Sequence, residues 1–359
     1  MLDQTTVRAS REGSPRIERA ETVRVGLWKG SVDPGAAVTQ YSLIDRDLVA
    51  NPVEPWVYLL GNDAIIRVHH VHTGALVATF TPGTGDYGAL AISDDGRMLY
   101  VSDRDRRRTL GLDAVTGVMQ REYLAPTDSG TPSHLPGPQM IVSRMNGHPV
   151  LYPPFIDSRD PVLPIDLETG QPLQGYDSSG GRYNIPYLLN SNRMQRTSAN
   201  GEFHYRADNY YLEVRRVRFS TLRGPSFMFV QGPVSRRAVD IDDFCVAPDD
   251  TVLHSGPVAG INVALENLEP SPLAPLALPD RPFSLTCGWN GRVYATLSTS
   301  SGTSPNLAVF DGRTPLGTVR LGPAGNSVSG RPVISGDGTR LVWMDFSAGG
   351  KSLRIGAAP

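Results

Sequence analysis

A single all-β domain, a seven-bladed β-propeller of four-stranded antiparallel blades, is predicted by three features of this 359-residue sequence. Glycine (37) and proline (30) are both abundant, which favours short strands joined by turns. A strand–tight turn–strand unit recurs along the chain, its turn residues Gly96, Gly147, Gly201, Asp250, Gly291 and Gly338 spaced at the period of propeller blades. No long segment keeps an i, i+3, i+4, i+7 apolar pattern, so a helical solenoid of similar period is disfavoured.

The blades follow in order. Blade one, 40–83, carries V-E-P-W-V-Y (53–58) and R-V-H-H-V-H-T-G (67–74). Blade two, 87–127, has the clearest hairpin, A-L-A-I-S-D-D-G-R-M-L-Y-V-S-D (89–103). Its Asp95-Gly96 step supplies the positive φ of a tight turn. A second landmark, L-D-A-V-T-G-V-M (112–119), follows it and returns in blade three (137–180) as I-D-L-E-T-G-Q-P (165–172). Blade four spans 183–237, blade five 240–282 and blade six 283–322, the last with a looser copy, F-D-G-R-T-P-L-G (310–317). Blade seven, 330–359, lacks an outer strand, and the N-terminal segment 19–30 is expected to provide it through E-T-V-R-V-G-L-W (21–28). Residues 1–18 are expected to form a mobile tail. An aromatic residue centres the second strand of most blades: Tyr58, Tyr100, Tyr152, Tyr205, Tyr294 and Trp343, with His254 in that slot in blade five.

A net charge of −2 gives no cationic excess for nucleic acid or anionic lipid. No apolar run is long enough to span a membrane. The start, M-L-D-Q-T-T-V-R-A-S, has no apolar signal region. The compartment stays open: periplasmic or secreted if the initiator Met replaces a removed signal, cytoplasmic otherwise. Lysine occurs only as Lys29 and Lys351 among 34 basic residues, which reads as a coding bias toward arginine.

The stretches S-D-D-G-R-M-L-Y-V-S-D (93–103), L-D-A-V-T-G (112–117) and I-D-L-E-T-G (165–170) resemble the YVTN family of seven-bladed propellers. That group in turn is similar to lactonase-type and quinoprotein amine dehydrogenase-type propellers. The resemblance implies a bacterial propeller that acts either as a binding module or as an enzyme. The D-x-x-T-G turns are also similar to the tryptophan-docking motif of pyrroloquinoline-quinone dehydrogenases. Here V-M-Q-R-E-Y and Q-P-L-Q-G-Y follow the glycines, without tryptophan, so no quinone is expected.

In a propeller the loops between second and third strands, and between successive blades, gather on one face around the channel. On that face the sequence places an arginine-rich rim: Arg106, Arg107 and Arg108, with Asp157, Arg159, Asp208, Arg236 and Arg237. Such a rim suits carboxylates or phosphates through bidentate bonds, against the plainer reading of a solvated surface of mixed ion pairs. Asp240 and Asp242 alternate at the start of the inner strand of blade five and offer oxygen donors for calcium, although dedicated calcium loops are denser in Asp, Asn and Gly. No other cofactor is expected. His70 and His72 lie on one side of their strand and His69 on the other, so the three cannot ligate one ion while the strand stays regular. A pair at His70 and His72 stays open. His148 is expected to be exposed and His254 packed in the core. Cys245 and Cys287, on the inner strands of blades five and six, read as two buried thiols in preference to a disulfide.

No nucleophile elbow, phosphate loop or His-Glu-x-x-His motif is present. The expected function is therefore a non-catalytic, monomeric binding module, its partner a protein or small anionic ligand on the arginine-rich face. The rival is a lactonase- or lyase-like enzyme, metal-dependent in one version, with its site at the channel mouth.

Overall fold

A computed structural model describes residues 2–10, 18–26, 37–41, 45–124, 140–145, 147–153, 163–176, 194–198, 201–207, 211–221, 224, 226–229, 235–238, 241–256, 259–264, 275–288, 290–298, 304–322, 327–347 and 350–359. The fold is a seven-bladed β-propeller. The inner strands are Asp45–Ala50, Tyr87–Ile92, Ile141–Met145, Met194–Thr197, Asp243–Val246, Pro282–Cys287 and Ser327–Ile334. Each touches the next, and the seventh touches the first, so the ring is closed around a central channel. From each, the chain meanders outward through hairpins to the rim. All six aromatic slot residues and His254 are buried between blades, each contributing on the order of 2 kcal/mol.

The closing strand differs from the sequence expectation. Ala37–Tyr41, not 21–28, pairs antiparallel with the last strand, Gly350–Ala357, from Ala37↔Ile355 to Tyr41↔Lys351. The reason is connection length. An outer strand ending at Tyr41 leads into the inner strand at Asp45 through a short link, as between most compact elements, whereas one ending at 28 needs a long one. Glu18–Gly26 instead pairs with Leu2–Ser10 in a two-stranded ribbon, where a tail was expected.

Blades three and four also depart from four plain strands. Tyr211–Ser220 is ten residues long. Its first half pairs with Ser235–Ala238, the outer strand of blade four, and its second half folds back on Ser226–Phe229. That hairpin captures Gln174–Tyr176 in parallel, so blade three keeps three strands.

The D-x-x-T-G turns are built by their aspartates. Asp113 Oδ1 accepts N–H bonds from Val115 and Thr116, and Asp166 does the same for Glu168 while holding the Thr169 hydroxyl. In blade one His70 imitates the aspartate, its Nδ1 accepting the N–H of His72 at 3.1 Å. His72 is engaged on both ring nitrogens, with Arg340 Nε 3.3 Å from Nδ1 and Asp337 Oδ2 3.0 Å from Nε2. His69 Nδ1 meets the Gly74 carbonyl. Both ring nitrogens of His72 are thus engaged at the seam to blade seven, which leaves it poorly placed to share an ion with His70. His148 is not exposed as expected: it stacks on Phe219 with centroids 3.6 Å apart and its Nε2 lies 2.7 Å from Asp166.

The cysteines also differ from expectation. Cys245 and Cys287 form a disulfide, with Cα atoms 5.6 Å apart. Neighbouring inner strands converge at the channel wall, so the divergence that would separate the thiols begins only farther out.

Candidate functional site

The inner strands are sheet edges, and their unpaired N–H groups must find acceptors. Two aspartates meet this need by one plan. Asp47 in blade one accepts the N–H of Leu48 at Oδ1 (2.9 Å) and the N–H of Leu90, in blade two, at Oδ2 (2.7 Å). Asp243 in blade five accepts Phe244 N–H at Oδ1 and Leu285 N–H, in blade six, at Oδ2, both at 2.8 Å. Bulges at Tyr87/Leu90 and Pro282/Ser284 loosen the receiving strands where these bonds form. Each aspartate therefore latches one blade to the next.

Around Asp243 the channel adds groups that a latch does not require. Arg331, from blade seven, reaches past blade six and places an amino group on Asp243 Oδ1. The Arg331 Nε is buried without a hydrogen-bond partner among the described residues. Arg196, from blade four, lies over the Phe244 ring at 5.6 Å and faces both Asp243 and Asp47 electrostatically. Burial pushes the Asp243 carboxyl up to about 6, against the opposing pull of Arg196 and of its two N–H donors. Burial likewise pulls the Arg196 guanidinium down, with Asp243 and Asp47 opposing it. Asp47 and Asp243 stand at or near the starts of their inner strands, toward the mouth where blade-to-blade links enter, and Arg196 and Arg331 stand farther along theirs. A carboxylate paired with Arg331 and facing Arg196 can yield Arg331 to an incoming anion, or exchange a proton near pH 6.

The predicted rim is arranged differently. Asp103, fully buried, takes Arg106 at 3.2 Å and Arg108 at 2.9 Å, and Arg108 also reaches Glu122 at 2.6 Å. Arg107 sits in the left-handed region at φ 51°, which turns the loop so that Arg106 can fold back to the Thr84 carbonyl. Two of the three loop arginines thus serve the buried aspartate. Arg236 and Arg237 lie on the outer strand of blade four, opposite Glu213 and Leu212, at the periphery of the same face. Asp157, Arg159, Asp208 and Asp240 lie outside the described residues. Asp242 holds Arg281 through both oxygens, at 2.8 and 2.5 Å, which leaves it poorly placed to ligate calcium. Among the described residues no group of three or more His, Cys, Asp or Glu is placed to hold a metal ion.

Asp47, Arg196 and Arg331 were not singled out by sequence, and Asp243 was read only as one of the acids, with Asp240 and Asp242, that open the inner strand of blade five. Their one signal was the repeat of D-L-V-A (47–50) as D-F-C-V (243–246) at the head of two inner strands.

The fold has solved counterparts. The structure of the Dos1 propeller matches with a TM-score of 0.56 over 88% of this chain and 78% of that one, at 13% identity. At that identity the likeness carries the fold alone. No protein-family model and no curated protein matches the sequence. No helix among the described residues is long and apolar enough to cross a membrane.

Proposed function

We propose that this propeller, of the YVTN and lactonase-like bacterial type, is a non-catalytic binding module that takes a small carboxylate or phosphate at the channel mouth. The observation that carries this reading is Arg331, which commits one amino group to Asp243 and keeps a buried Nε without a partner among the described residues. A ligand anion supplies the missing acceptor and draws on Arg196 from the other side, in the bidentate geometry that guanidinium favours. Arg107, Arg236 and Arg237 are proposed as outer contacts of the same surface; Asp157, Arg159 and Asp208, expected from the sequence to join them, lie outside the described residues.

Titration calorimetry with succinate, citrate and inorganic phosphate tests this reading. Binding is expected at pH 5.5 and weaker at pH 7.5, because protonation of Asp243 releases Arg331 and removes the negative charge that faces Arg196. R331Q is expected to weaken binding at least tenfold, and unchanged affinity rejects the site. A second reading, an acid–base enzyme, draws on the Asp243 carboxyl near 6. It predicts turnover of lactones or similar esters that D243N abolishes while anion binding survives.

A further inference from the structure

Two seams of the ring share one plan and differ at one place. Two residues beyond each latch partner in blades one and two stand Val49 and Ile92, both packed against one apolar cluster. The equivalent positions between blades five and six are Cys245 and Cys287, joined by a disulfide. An apolar pair therefore suffices to close such a seam. The covalent bond lies two residues along the strand from the carboxylate that Arg331 engages. Both cysteines of the chain are used, and none is free.

We infer that this protein folds and resides in an oxidising compartment, and that the Cys245–Cys287 bond is a permanent clamp on the seam bearing the channel carboxylate. The cytosol keeps thiols reduced, and a reduced pair there would offer nothing that Val and Ile do not. Cys245 is buried and Cys287 half-buried, so attacking thiolates have poor access, and the bond is structural in place of catalytic. Its formation removes two protons and two electrons from the thiols, and a disulfide oxidant of that compartment accepts them and becomes a dithiol. The clamp's link to ligand binding rests on the proposed function, whereas the compartment does not.

Thiol trapping separates the outcomes. Intact source cells are treated with a membrane-permeant alkylating reagent and fractionated, and the full-length chain is weighed by mass spectrometry before and after reduction. The expected result is an extracytoplasmic chain with no alkylated cysteine before reduction and two after it. A cytosolic chain with both thiols alkylated overturns the inference. The clamp is tested by C245V/C287I in the full chain, which copies the seam between blades one and two. It is expected to keep the β-sheet circular dichroism spectrum while Tm falls by about 5–10 °C. An unchanged Tm overturns the clamp, independently of any ligand measurement.

Discussion

Asp47 and Asp243 make the same backbone bonds, yet only Asp243 meets Arg331, and its environment alters its titration. Its folded pKa, pushed up to about 6 by burial, lies above that of an unfolded carboxylate. The folded chain then holds the proton longer, so this stabilising contribution is full at acid pH and is lost as pH rises through about 6. Denaturant midpoints of wild type against D243N should diverge in that window, by on the order of 2 kcal/mol. A flat difference from pH 4 to 8 would refute the raised pKa. Asp103 is the other telling residue, because removing it leaves Arg106 and Arg108 without their shared acceptor. D103A is expected to cost about 1–3 kcal/mol in chemical denaturation. The sequence showed the arginines of loop 103–108 but hid their purpose. A charge run looks the same whether it awaits a ligand or neutralises a buried acid, and only the register of strand ends decides.

The D-x-x-T-G turns were legible from sequence as elements, since aspartate, threonine and a positive-φ glycine specify their own hydrogen bonds. Their contact with the neighbouring blade was not. Phe80, on the outer strand of blade one, lies against Gly117 of blade two, where a Cβ would run into it. Arg121 of blade two does the equivalent for blade three, capping the Leu167 and Glu168 carbonyls at 2.9 and 2.8 Å. These contacts stand where a docking tryptophan was absent. G117A is expected to destabilise the chain by about 1–3 kcal/mol, through left-handed backbone at φ 71° plus collision with Phe80. In F80A/G117A the collision term disappears, so the double variant should lose less than the sum of the singles in thermal melts; strict additivity would refute the contact. The sheet shared by blades three and four escaped prediction because strand pairing across blades depends on where a long strand overshoots its partner. Local alternation does not encode that.

At the scale of the molecule, blade number and order followed from the repeat, because each unit buries its faces only against its neighbours. Ring closure was legible in kind but not in residue, since several N-terminal segments alternate like strands and link length selects among them. The charged channel mouth was least visible, being assembled from blades one, four, five and seven, whose residues are remote in sequence. The closing pair has a further consequence for how the protein is made. Ala37–Tyr41 is made long before its partner, Gly350–Ala357. The ring cannot shut until that partner strand has been made, and until then the growing chain carries open strand edges, the state most exposed to aggregation.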